Sequence, residues 1–344
     1  MDIRLTADQA ALFDTMTRIA SDLGPGAVGD LDDAPRRVRL DEAVAATGVR
    51  ALRDRSDDDA ALASGVESAL VAQALGRAPA DTAYLGPSLA GDLRRRAGLD
   101  GDGVARTVAL TPDLSHPIVA AGGQLGAAAV AVDAAGAERA VVLVEVDGDR
   151  HLGEVELAGA SAGADITRCQ VDLAADAPVV IVGDRPITDD ALTGWAAFGL
   201  AVAAADAVGA MGGAVRLGVD YAADRRQYGA PVGSFQAVQH LLAEAHTLAD
   251  GALSISRHAS WAADAMEPAD AHRAAARAAV YVGRAQRTVA ETVIQVHGGI
   301  GNTWECMAHV FLRRMFLDDA ILGTAEALLG DLAASREGAF VALP

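Results

Sequence analysis

The sequence predicts a mostly α protein with a small central β domain, arranged as N-terminal helices, a reduced β domain and a C-terminal antiparallel helix bundle. Three observations carry this expectation. Apolar residues recur at spacings of three and four near the N-terminus, and again from about residue 188 almost to the end. Between these regions, residues 104–183 break into short β-branched runs separated by Gly, Asp and Pro. The long helical runs are joined by short connections, which makes consecutive helices antiparallel neighbours. The expected divisions are 1–103, 104–187 and 188–344.

The elements follow in order. "LTADQAALFDTMTRIASD" places Leu12, Phe13, Met16 and Ile19 on one helix face, and Thr6 with Gln9 forms a capping box at its start. A second helix is expected over 62–76, then a turn and a short helix in "RAPADTAYLGPSLAGDLRRRAG". "AERAVVLVEVDG", "GEVELAG" and "ITRCQVDLAA" read as strands. In the bundle, Phe235, Val238, Leu242, Ala245, Ala249 and Ala252 keep the helical spacing. "DRRQYGAPVGS", "MEPAD" and a glycine break at Gly298 interrupt it. Residues 191–215 come nearest to a membrane span, but they are mostly Ala and Gly, so a buried helix is expected instead.

Composition narrows the chemistry. With 344 residues, 51% hydrophobic and 22% charged, the chain can bury a large core. A net charge of −19 argues against nucleic acid or an anionic membrane as partner. All 28 cationic residues are Arg; the absence of Lys excludes a Walker A loop and a Schiff-base enzyme. The first residues, "MDIRLTADQA", lack a basic region followed by an apolar core, and Cys169 and Cys306 form no ligand-spaced pair. A cytoplasmic chain with reduced thiols and no metal site is the expectation.

Two motif matches fail on context. "GPGAVG", Gly24 to Gly29, fits a dinucleotide-binding string, but it follows a helix and leads into "DLDDAPRR" rather than a helix. "GASAG", Gly159 to Gly163, fits a nucleophile elbow, but "ADITRCQVDL" after it reads as a strand.

The glycine break holds more. In "QVHGGIGNTWE" three glycines fall within residues 298–301, between two helical runs. Successive glycines let backbone N–H groups approach an anion. Upstream, "DRRQYGAPVGSFQAVQHLLAE" sets an Arg at a helix end, where its planar fork of donors suits a phosphate. With "ILGTAEALLG", residues 321–330, these stretches resemble the acyl-CoA dehydrogenase family. Arg225, Gln227, Tyr228, Gly229, Pro231, Phe235, Gln236 and Gln239 meet one family pattern, Gln295, Gly298, Gly299 and Gly301 a second, and Gly323-Thr324 a third. The resemblance is strong over about 196–330, fair over the N-terminal helices and poor over the β domain. It implies FAD as cofactor, with Arg225, Gln227, Tyr228, Gln295, Gly298 and Gly299 against its ADP half.

The same resemblance exposes what is missing. Flavin-dependent α,β-dehydrogenation of an acyl-CoA needs a carboxylate base at the α-proton. In most of the family a Glu immediately precedes the Gly-Thr; here that residue is Leu322. The second known base position falls at about Gly199-Leu200, also not acidic. The family's "T-E-P-x-x-G-S-D" segment has only "LTPDLS", residues 110–115, as a counterpart, and its "W-x-T-N" segment has none. No catalytic residue is therefore assigned. The chain resembles the shortened, base-less subunit of bacterial heterotetrameric members, notably those that degrade steroid side chains. That implies a catalytic acyl-CoA dehydrogenase subunit as partner and electron-transfer flavoprotein as acceptor. Two alternatives stand beside it: a self-sufficient flavoenzyme whose base is Asp318, Asp319 or Glu305, and a helical scaffold without flavin. Asp319 is expected to pair with Arg314 or Arg313 if it is only structural.

Overall fold

A computed structural model describes residues 4–56, 59–161 and 163–336. Helix α1 (Ala7–Leu23) starts on the expected capping box: Thr6 Oγ1 accepts the Gln9 N–H at 3.2 Å, and Gln9 Oε1 accepts the Thr6 N–H at 3.0 Å. A 3-10 turn (Val28–Asp32) then leads into α2 (Ala34–Ala46). This corrects the reading of "DLDDAPRR" as non-helical. Asp33 caps the helix by accepting the Arg36 N–H at 3.0 Å, and Pro35 sits in the first turn, where its missing N–H costs nothing. No strand precedes Gly24, since α1 does, so the string remains outside a Rossmann context. Helix α3 (Gly65–Arg77) begins later than expected, at a Ser64–Glu67 capping box, and α4 (Leu85–Arg96) completes the N-terminal helices.

Seven strands form one mixed sheet: β1 (Arg106–Leu110), β2 (Val119–Ala120), β3 (Ala129–Val132), β4 (Arg139–Val146), β5 (Asp149–Glu156), β6 (Val171–Leu173) and β7 (Val180–Val182). Their order is β6-β3-β1-β4-β5-β7, with β2 beside β4. The β4–β5 hairpin turns on Asp147-Gly148, both at positive φ, as a two-residue loop of that type requires. Ser161 bridges to Gln170, its N–H donating to the Gln170 carbonyl at 2.7 Å, so Ser161 pairs along the chain instead of opening a helix as a nucleophile elbow would.

The bundle consists of α5 (Asp189–Asp224), a two-strand ribbon, α6 (Gln236–Ala265), α7 (Pro268–His297), a 3-10 turn (Gly298–Asn302), α8 (Ala308–Ala320) and α9 (Ala325–Arg336). Helix α5 is the spine. By length and composition it could cross a membrane, yet 94% of its most apolar window is buried in the fold, so it is a core helix. Burial of its Ala, Val and Gly positions against α3, α6 and α7 supplies the main apolar term. Arg53 ties the N-terminal helices to the bundle. Its guanidinium donates to Asp92 at 2.7 and 3.0 Å and to Asp264 at 2.9 Å, over the Phe198 ring at 4.4 Å.

Candidate functional site

Helix α5 stops at Asp224, and Arg225 is its C-terminal cap residue, with extended backbone and its N–H on the Tyr221 carbonyl at 2.9 Å. A ribbon follows: β8 (Arg226–Gln227) pairs with β9 (Ala230–Pro231) around Tyr228-Gly229. Both turn residues have positive φ, 52° and 82°. That conformation is unusual for a tyrosine, and the turn leaves Tyr228 96% exposed, edge-on to Phe235. Arg225 and Gln227 are exposed too. Among the described residues Arg225 makes no side-chain hydrogen bond or ion pair, and the neighbouring Asp224 does not hold it. Its fork of donors is free.

Helix α7 ends at His297, and the three glycines that follow have three different reasons. Gly298 has φ 64° and ψ −139°, a conformation that a side chain resists. Gly301 packs on the preceding turn: a Cβ there would lie 2.6 Å from the Ile294 carbonyl oxygen. Gly299 has neither reason. Its φ is not positive, and a Cβ would meet nothing within 4 Å. Among the described residues, neither backbone conformation nor a close neighbour requires glycine at 299. Gly299→Ala is therefore expected to leave the stability of the chain unchanged within about 0.5 kcal/mol. A clear loss of stability in the isolated chain would assign Gly299 to the fold instead.

The arginine hairpin and the glycine turn lie 70 residues apart in sequence but are joined in space. The Tyr221 and His297 rings stack at 4.3 Å, and the Tyr221 hydroxyl donates to the His297 carbonyl at 3.3 Å. Gln295 is exposed beside this junction, one turn before the break.

Leu322 sits elsewhere, in the core. It is buried, has φ 60°, and donates its N–H to the Leu114 carbonyl at 2.9 Å. A Cβ on Gly199 would lie 2.4 Å from Leu322 Cδ1 and 2.8 Å from Leu89 Cδ2. The two positions singled out in sequence for a base thus meet in space, and a leucine fills the room that the glycine leaves. A small cavity bounded by Leu200, Ile321 and Gly323 measures about 10 Å³, the room of one water. "LTPDLS" folds into a tight turn over this place. Hydrogen bonds from Thr111 and Ser115 hold the Asp113 carboxyl down at about 2, and the buried Leu114 carbonyl is the one that takes the Leu322 N–H.

Asp318 and Asp319 are committed elsewhere. Asp318 is buried and accepts from Arg168 Nη1 at 2.5 Å; Arg168 also reaches Asp206 at 3.0 Å. Arg314 forks onto Asp206 at 2.7 and 2.8 Å and donates to the Ala80 carbonyl and Thr167. Burial opposes ionisation of Asp206, but Arg314 and Arg168 overcome it and hold its carboxyl below the usual range. Burial drives Asp318 the other way, well above that range, with Asp206 adding to the effect against Arg168. Asp319 accepts the Ala325 N–H at 3.2 Å at the start of α9, and burial raises its carboxyl. Its expected pairing with Arg314 or Arg313 is not formed: Arg314 belongs to Asp206, and Arg313 donates to the Ala164 carbonyl at 3.0 Å. Glu305 is exposed.

The residues present therefore fit the ADP half of FAD, which asks for a free cationic fork, exposed amide side chains and open glycine backbone. At the place where the resemblance puts a base, Leu322 packs on Gly199 and no carboxylate stands. His297 was legible in sequence as a residue at the glycine break; sequence reasoning missed Tyr221, whose placement one turn before Arg225 was the only hint.

Residues 196–336 match the family model for the acyl-CoA dehydrogenase C-terminal domain. That part of the chain is similar to the C-terminal domain of acyl-CoA dehydrogenases. Acyl-CoA dehydrogenase FadE34 of Mycobacterium tuberculosis is 39% identical over 137 residues, which covers 39% of this chain and 19% of that protein. Acyl-CoA dehydrogenase IpdE2 of the same species is 37% identical over 111 residues, 32% of this chain and 33% of that one. The chain thus spans a third or less of the length of these two curated relatives. Among solved structures, a variant of the Tcur3481–Tcur3483 steroid ACAD superposes with a TM-score of 0.80 at 22% identity, covering 96% of this chain and 99% of that one. The ChsE4–ChsE5 complex of Mycobacterium tuberculosis gives 0.79 at 21% identity, covering 98% and 100%. At these identities the likeness establishes the fold.

Proposed function

We propose that this chain is the non-catalytic subunit of a heteromeric, FAD-dependent acyl-CoA dehydrogenase and completes the FAD site of a catalytic partner. One observation carries the reading: Arg225, Gln227, Tyr228, Gln295, Gly298 and Gly299 are all exposed, while the place of the base is closed by Leu322 on Gly199. Two of the similar structures, the ChsE4–ChsE5 complex and the Tcur3481–Tcur3483 steroid ACAD, bear two-component names, which supports a heteromer.

In this reading Arg225 donates a charged fork to the pyrophosphate. Gln227 and Gln295 offer amide hydrogen bonds, Tyr228 offers its ring, and Gly298 and Gly299 bring backbone close. The bound flavin supplies the hydride acceptor; the base and the strands around its ring come from the partner. The substrate is an acyl-CoA, steroid-derived or fatty, and an electron-transfer flavoprotein takes the electrons. Residues 188–344 form the cofactor-contacting and oligomerising domain, behind an N-terminal helical domain (1–103) and a small β domain (104–187).

Co-expression with a family member that carries the glutamate before its Gly-Thr tests this. The expected result is a yellow heteromer, with a flavin-poor product when this chain is expressed alone. A homo-oligomer with one FAD per chain and dehydrogenase turnover would refute it.

A further inference from the structure

Two stretches of a chain can contact one pyrophosphate only if their separation is fixed. The arginine hairpin hangs from the C-terminal end of α5, and the glycine turn hangs from that of α7. Tyr221 and His297 are the pair that the structure places between these ends. The imidazole is buried, and its Nδ1 is bonded to the Val293 carbonyl at 2.8 Å, which fixes the ring. The Tyr221 ring lies on it at 4.3 Å and 24°, and the Tyr221 hydroxyl holds the carbonyl of the last residue before Gly298. On the other side, the Tyr221 carbonyl takes the Arg225 N–H at 2.9 Å. An unbroken path of contacts therefore runs from the arginine cap to the glycine turn, through two aromatic side chains and three hydrogen bonds.

Resting on the function proposed above, we infer that Tyr221 and His297 are positioning residues: a clasp that sets the distance between the Arg225 fork and the Gly298-Gly299 backbone, and so the affinity for FAD. Neither side chain needs to touch the cofactor. A misplacement of the fork by a fraction of an ångström weakens a charged hydrogen bond whose geometry is directional. Tyr221→Phe removes only the hydroxyl bond, His297→Phe keeps a stack, and His297→Ala removes both the stack and the Nδ1 bond.

The test is FAD titration of the apo-heteromer, followed by flavin fluorescence, for these variants, Arg225→Ala and the Arg225→Ala/His297→Ala pair. The expected results are an affinity about tenfold weaker in His297→Ala, a smaller loss in Tyr221→Phe, and recovery of most of the loss in His297→Phe. Arg225→Ala and the double variant should bind FAD alike, because the clasp has nothing left to place once the fork is gone. Should His297→Ala fail to assemble, Tyr221→Phe and its pair with Arg225→Ala give the same comparison. FAD affinity that falls in Arg225→Ala but is unchanged in the clasp variants would overturn the clasp alone, as would strictly additive losses. Unchanged affinity in Arg225→Ala would overturn the assigned cofactor contact, and the clasp's purpose with it.

Discussion

Arg314→Ala is expected to destabilise the folded chain by about 3–5 kcal/mol, the range for breaking a buried ion pair from one side. The side chain is 2% exposed. It holds both oxygens of Asp206 and also satisfies the Ala80 carbonyl and Thr167, so its loss strands a buried carboxylate together with those acceptors. Arg168 compensates only in part: it reaches one oxygen of Asp206 at 3.0 Å but is shared with Asp318 and Asp165. Four carboxyls, Asp133, Asp165, Asp206 and Asp318, act on these two guanidiniums, so removing one cation leaves the cluster further from balance. The cluster joins the loop before β6 to α5 and α8, and its failure loosens the β sheet from the bundle. Urea denaturation of Arg314→Ala against Arg216→Ala, an exposed arginine of α5, measures this. The control should shift stability by no more than about 0.5 kcal/mol. Equal shifts in the two variants would show that the cluster does not hold the domains together.

Arg225→Ala should do the reverse, with stability unchanged and flavin lost. Its guanidinium is exposed and unpartnered within the described residues, so the chain alone loses no contact when it goes. On the function proposed above, the interaction lost in the heteromer is a charged hydrogen bond, about 1.5–3 kcal/mol, which is roughly ten- to hundredfold in FAD affinity. Arg225→Lys should recover the charge but only part of the affinity, because an ammonium cannot fork. Equal FAD content and affinity in wild type and Arg225→Ala would reduce Arg225 to a helix cap.

Local physics was legible in the sequence. Thr6 and Gln9 marked the first helix correctly because a capping box is a contact between residues three apart. The same signal at Ser64 and Glu67 was passed over, and the expected helix began too early. Helix α2 was missed because its acidic lead-in reads as loop, although Asp33 and Pro35 are a start signal. What the sequence could not carry is the meeting of distant residues. Asp206 and Arg314 are 108 positions apart, and Leu322 fills space made by Gly199 from another helix. The glycine break reads in sequence as one feature, because its three glycines look identical there. Only the backbone angles and the surrounding atoms separate a conformational, a packing and an outward-facing glycine.

The central claim is that this chain contributes to a partner's flavin site and has no reactive site of its own. Native mass spectrometry of the heteromer, counting FAD against subunits, tests it most directly, with wild type and Leu322→Glu side by side. The account predicts one FAD for each catalytic subunit and none for this chain in both proteins. Leu322→Glu should add no turnover per complex and should cost stability, because it sets a carboxylate among Leu89, Gly199 and the Leu114 carbonyl without a partner. One FAD for every chain, with activity that rises when the glutamate is installed, would contradict it and show a second flavin site surviving here.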